Sequence, residues 1–193
     1  MKIQDTNILQ VLTKVTFLIL LVVTSACSQN KETKATAKAG VAAPQVDIHT
    51  AVVTDNLDAL KQHIAAGSNI NERDPFGGSS PLISAAVFGK TEAAKILIDA
   101  GADINFQNND GSTALHTSAF FCRPEIVKML LEKNASKTIK NKYGATAYEN
   151  VAGSYSDVKS VYEMLEKMLA PMGLKLDYVY IEKTRPEIAQ MLK

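Results

Sequence analysis

The sequence predicts an all-α repeat solenoid of about four units with a C-terminal capping segment. Three observations predict it. Gly78, Gly111 and Gly144 head three similar segments and stand 33 residues apart, and periods of that size mark stacked repeat units. From Asp157 to Leu169, the residues Val158, Val161, Leu165, Met168 and Leu169 recur near every 3.6 positions, the single apolar stripe of an amphipathic helix. The chain has 193 residues, 46% of them apolar, which is enough for one domain with additions at its ends.

The additions come first. Val15–Val23 is an uncharged, mostly apolar run, with Lys2 and Lys14 before it and Thr24-Ser25-Ala26-Cys27 after it. A basic flank, a short apolar core and small residues match a secretory signal peptide. The run is too short to span a bilayer. Small residues before Cys27 resemble the bacterial lipoprotein signal, with Thr24 standing where that family favours an aliphatic residue. The resemblance implies that Cys27 is lipidated and opens the mature chain. From Ser28 to Pro44 only Val41 is a large apolar residue, so this stretch cannot bury enough surface to offset ordering and reads as a flexible linker. The organisation expected is a signal peptide over 1–26, a linker over 27–44, repeats over 45–169 and a cap over 170–193.

The repeats run next. Ser80-Pro81-Leu82-Ile83, Thr113-Ala114-Leu115-His116 and Thr146-Ala147-Tyr148-Glu149 align. So do the segments that end at Ala66-Gly67, Ala100-Gly101 and Lys133-Asn134. These motifs resemble the ankyrin repeat family, whose units carry Thr-Pro-Leu-His at the first of two helices. Gly67 to Gly101 spans 34 residues, and the extra one falls in Arg73–Gly78. The resemblance implies a stack in which Val52 and Val53 pack on Leu82, Ala85 and Ala86, and these on Leu115, Ala119, Ile96, Leu97, Val127 and Leu130. It makes His49 and His116 structural bonds between neighbouring turns. Gly78, Gly101, Gly111 and Gly144 supply tight turns, and Asn134 substitutes for Gly at a helix end.

The tail is atypical. Pro171-Met172-Gly173 breaks the preceding helix. Leu174–Ile181 alternates like a short strand, and Thr184 with Glu187 three residues later reads as the start of a capped helix. Terminal units of repeat stacks are commonly atypical caps; the rival reading is a segment that engages a partner.

Chemistry is sparse. Lys and Arg number 21 against 20 Asp and Glu, and nucleic-acid binders carry a basic footprint this balance lacks. Loss of the leader removes Lys2, Lys14 and Asp5 and leaves the chain neutral, so strong long-range steering is not expected. The three histidines have no metal-ligand spacing. No phosphate-loop or Gly-x-Ser-x-Gly motif occurs. Cys122 follows Phe120-Phe121 and reads as a small buried hydrophobe, with a redox-reactive or partner-linking thiol as the sharper alternative.

The function expected is therefore an exported, lipid-anchored ankyrin-repeat module, not an enzyme and without a cofactor or catalytic or metal residues. It would bind an unknown protein partner through the concave face formed by its turn tips. Phe76, Phe106, Asn108, Asp110, Lys142 and Tyr143 are the candidate contacts, because exposed aromatics at tips make typical anchors. The domain is expected to be monomeric, to bind no nucleic acid, and to meet membrane through the anchor alone, in the bacterial cell envelope as a periplasm-facing or outer-membrane lipoprotein. The alternatives are a structural, envelope-maintenance role without a tight partner, and an enzyme with a site near Cys122.

Overall fold

The computed structural model describes residues 41–193; the expected signal peptide over 1–26 and Cys27 lie outside them. Nine α-helices follow one another in the described residues. They are α1 (Ile48–Val53), α2 (Leu57–Ala65), α3 (Pro81–Phe88), α4 (Thr91–Asp99), α5 (Ala114–Phe120), α6 (Pro124–Glu132), α7 (Glu149–Ala152), α8 (Tyr155–Leu169) and α9 (Tyr178–Leu192). First helices α1, α3, α5 and α7 pack side by side, and α2, α4 and α6 pack behind them. The result is an all-α ankyrin-repeat-like solenoid with a C-terminal helix.

The first helices α1, α3 and α5 each start on a side-chain cap, whereas α7 has none. Asp47, Ser80 and Thr113 accept from the N–H three residues on, which satisfies one of the orphan donors of a helix N-terminus. Pro81 and Pro124 sit in the first turn, where a missing N–H costs little. The helices end on left-handed residues in register: Asp55, Gly89 and Cys122 after or near the first helices, and Gly67, Gly101 and Asn134 after the second. Between the helix rows lie Val52, Leu60, Leu82, Ala85, Ala86, Leu97, Leu115, Ala119, Val127 and Leu130, all fully buried. Each large one contributes about 1.5–3 kcal/mol by leaving water. Val53 and Ile96, expected among them, are only half-buried. One position on from Val52, the helix has turned about 100° and points Val53 away from the core.

The C-terminal part departs from the sequence reading. The amphipathic stripe over Asp157–Leu169 closes the expected repeats, but α8, which carries it, does not pack as the second helix of the fourth unit. Instead α9 packs against α7, α6 and α5, the contacts a second helix makes, and inserts Ile188 and Leu192 into the main core. α8 is an insertion at the opposite end of the units from the turn tips. Its one fully buried residue is Tyr162, its expected Met168 is 54% exposed, and Val158, Val161, Leu165 and Leu169 are half-buried. No strand forms over Leu174–Ile181. Asp177 caps α9 by accepting from the Tyr180 N–H at 3.0 Å, so helix begins inside the alternating run. Thr184, expected as a cap, is buried within α9, and Pro186 also lies inside that helix.

Tyr162 and Arg185 hold the insertion. The Tyr162 hydroxyl donates to the Phe120 carbonyl, and Arg185 donates to that hydroxyl at 2.9 Å and to the Gly153 carbonyl at 3.1 Å. Glu166 accepts from the Tyr178 hydroxyl and from the Leu176 N–H, which ties α8 to the start of α9.

Candidate functional site

Three turns project from the stack, one between each pair of units, and they share one backbone scaffold. In the first, the Asp74 carboxylate accepts from the N–H groups of Phe76, Gly77 and Ser79 at 2.8, 2.8 and 2.6 Å. In the second, Asn108 Oδ1 accepts from Asp110 and Ser112, and in the third Asn141 Oδ1 accepts from Tyr143 and Ala145. These are Asx turns, in which a short polar side chain fixes the backbone two residues on. Burial alone would raise the pKa of Asp74; its three N–H donors outweigh that and hold the carboxyl below its ordinary value.

The turns are also bonded to one another. Asn109 N–H donates to the Gly77 carbonyl at 2.9 Å and Lys142 N–H to the Asp110 carbonyl at 2.8 Å. Asn71 Oδ1 accepts from Asp103 N–H, and Asn105 Oδ1 from Ser136 N–H. His49 Nε2 donates to the Glu72 carbonyl at 3.0 Å, and His116 Nε2 to the Ala145 carbonyl at 3.1 Å. A carbonyl only accepts, so Nε2 carries the proton and Nδ1 accepts from Ser84 or Thr113. Burial lowers the His116 pKa and keeps the ring neutral. Gly78, Gly101, Gly111 and Gly144 all have positive φ. At Gly78 a Cβ would also lie 2.3 Å from Asn109 Oδ1, so that exposed side chain would have to move.

The geometry divides the six expected contact residues. Phe76 at the first tip is 87% exposed and Tyr143 at the third is 50% exposed; Lys142 is exposed beside Tyr143. Phe106 is half-buried, and the Arg73 guanidinium lies 4.5 Å above its ring, so it braces neighbouring turns. Asn108 commits its Oδ1 to its own turn. Asp110 is half-buried beside Tyr143, whose pKa is raised by burial and then by that carboxylate.

Two cations outside the six expected contacts, Arg73 and Lys140, belong to the same face. With Gln107, Asn109 and Lys142 they line an open groove of about 510 Å³ between the turns. Arg73, Gln107 and Lys140 are spaced by 34 and 33 residues, so they occupy one position in successive units. That register was the available signal.

Cys122 sits at the other end of the units, fully buried against Ile181. Burial pushes its thiol up to about 11. Such a thiol is protonated at neutral pH and is a poor nucleophile. Among the described residues no group of three metal-ligating side chains comes together.

Residues 48–141 match the family profile described as ankyrin repeats (3 copies). This segment is an ankyrin-repeat domain. The chain is similar to the human DNA-binding protein RFXANK, at 36% identity over 58 residues, covering 30% of this chain and 22% of that protein. It is also similar to human protein phosphatase 1 regulatory subunit 27, at 38% identity over 64 residues, covering 33% and 41%. The chain therefore spans well under half the length of these curated relatives. Among solved structures, the ankyrin repeat domain of Bcl-3, a member of the IkappaB protein family, superposes with a TM-score of 0.53 at 27% identity, covering 60% of this chain and 50% of that one. Ankyrin-repeat domains are typically non-catalytic protein–protein interaction modules.

One group of expectations is corrected. Among the described residues no helix is long and apolar enough to cross a membrane, and the family match falls on the repeats alone. The signal-peptide, lipoprotein, membrane-anchor and periplasm terms conflict with that finding and are not carried forward, and the functional reading rests on the repeats.

Proposed function

We propose that this domain binds a protein partner through its turn-tip face, with Phe76 and Tyr143 as the anchors. The observation that carries this is the 87% exposure of Phe76 on a turn whose backbone is fixed by three bonds to Asp74. A rigid turn presenting an aromatic ring loses little entropy on binding, and such rings fill pockets at interface centres. Tyr143 continues the face two turns away, and Arg73, Lys140 and Lys142 give it polar donors between the rings. Ankyrin repeats supply the stacked scaffold that holds separate turns in one row.

The test is capture from an extract of the cells that make this protein. A photo-crosslinking residue at Lys142 reports contacts, and the comparison is with Phe76→Ala, Tyr143→Ala. A hot-spot aromatic contributes at least about 2 kcal/mol, so the double variant should weaken capture of a specific protein by about thirtyfold or more. Equal capture by both forms would move the binding face off the tips.

A further inference from the structure

We infer that the groove between the turn tips receives an acidic, extended segment of the partner. This rests on the reading that the turn-tip face is the docking surface, and it specifies the chemistry that surface selects. Arg73, Lys140 and Lys142 line the groove, and its lining contains no carboxylate. The acids nearby are turned to other work. Asp110 faces Tyr143. Glu149 accepts from the N–H and hydroxyl of Thr146 at 2.7 and 2.9 Å and reaches Lys140 only through its field. Among the ion pairs of the described residues, none involves Arg73, Lys140 or Lys142.

Arg73 is prepared for a ligand. Its guanidinium donates to the carbonyls of Gly78 and Gln107, both at 3.0 Å, and rests on the Phe106 ring. Those contacts use two of five N–H donors and fix the plane of the rest. The chain as a whole is close to neutral, so this cluster is a local feature rather than a share of a general positive charge.

The register gives the ligand its shape. Arg73 and Lys140 occupy equivalent positions two units apart. Packed helices lie about 8–10 Å apart, and an extended chain advances about 3.4 Å per residue. Carboxylates about five to six residues apart in one extended segment therefore meet both cations. Gln107 sits between them. Its Nε2 donates to the Gly111 carbonyl at 2.8 Å, which leaves Oε1 to accept a backbone N–H from the segment. A nucleic acid strand would also be drawn to the cations, but it needs a longer basic track than these three residues make.

The test uses the full chain, isotope-labelled for NMR, and a synthetic Gly/Ser peptide of about 12 residues carrying glutamates about five to six residues apart. Its controls are the same peptide with glutamine and an oligothymidylate of similar length. The glutamate peptide should shift the amides of Asn109, Gly111 and Lys142 and bind at least about tenfold tighter than the glutamine peptide. Binding should weaken severalfold as salt rises from about 50 to about 300 mM, where the screening length falls below 10 Å. Lys140→Glu, Lys142→Glu should abolish the shifts. Lys61→Glu, Lys128→Glu makes the same change in net charge on exposed residues of α2 and α6 and should leave them intact. Equal binding of the glutamine peptide, equal loss in both charge variants, or tighter binding of the oligothymidylate would overturn the acidic-segment assignment. If the glutamate peptide causes no shift while partner capture still depends on Phe76 and Tyr143, the docking face stands and only the acidic assignment fails.

Discussion

At the turn tips, successive units repeat one Asx-turn scaffold, whereas at the opposite end of the units a single set of side chains occurs once. The tips use Asp74, Asn108 and Asn141 in the same role and bond backbone to backbone across units. The other end stacks Phe120 on Tyr162 with centroids 4.5 Å apart and closes over Arg185, which is 3% exposed. The difference teaches where variation is tolerated. A scaffold that bonds through backbone and one Asx residue leaves the neighbouring side chains free to be chosen for a ligand. A scaffold built from side chains has none to spare.

The sharpest way to break this comparison is Arg185→Met. Arg185 donates to the Tyr162 hydroxyl and to carbonyls at Asn150 and Gly153. Removing it strands buried acceptors, each costing about 1–3 kcal/mol, so a total near 3 kcal/mol is expected. Urea denaturation measures it. The amide shifts of Asn109 and Lys142 should stay where they are, because no bond connects Arg185 to the tips. Movement at the tips would show that the two ends are one cooperative structure.

The tips were largely legible in sequence, and the other end was not. The period, the glycines and the matching positions of His49 and His116 follow from residues aligned at 33 or 34, and the resemblance to ankyrin repeats gave those two histidines their role. That alignment also separates Phe76 from Phe106. Phe76 shares its position with Asp110 and Tyr143 at the tip, while Phe106 shares its position with Glu72 and Ile139, two residues before the Asx residue. Composition alone made the two rings look equivalent. Nothing comparable was available for the tail. α8 and α9 both carry apolar stripes at helical spacing, and either could pack as the second helix of the fourth unit. The choice is made by Tyr162 meeting Phe120 and Arg185, contacts 42 and 23 residues apart with no period to announce them. Helix propensity for Tyr178–Leu192 was also masked by Pro186 and by the alternation that precedes it.

A smaller effect separates space from backbone strain at the tips. Gly78→Ala and Gly144→Ala both place a Cβ on a left-handed residue, with φ of +64° and +77°, at about 1–2 kcal/mol each. Only Gly78 has a neighbour in the way: Asn109 Oδ1 at 2.3 Å and Arg73 Nη1 at 3.0 Å. Asn109 is exposed and can swing aside, so the added loss should stay below about 1 kcal/mol. Gly78→Ala should therefore be the costlier of the two in urea, and it alone should disturb Arg73 and the groove. Equal costs and an undisturbed Arg73 side-chain resonance would mean that Asn109 does not set the shape of the tip.

The smallest effect is a pH dependence, and its sign is fixed by burial. Burial lowers the His116 pKa in the folded state, while the unfolded ring keeps a value near about 6.5. Between those values the unfolded chain binds the extra proton, so stability falls as pH drops below about 6.5 and levels off beneath the folded value. One proton gives a slope of at most about 1.4 kcal/mol per pH unit. His116→Gln removes this titration, and its amide can still donate toward the Ala145 carbonyl. The wild-type chain should thus lose stability more steeply than the variant on acidification below pH about 6.5, measured as the difference between their urea midpoints. Parallel curves would mean that the ring takes up a proton in place, and the His116 bond to Ala145 would then be as secure in acid as the Asx bonds beside it.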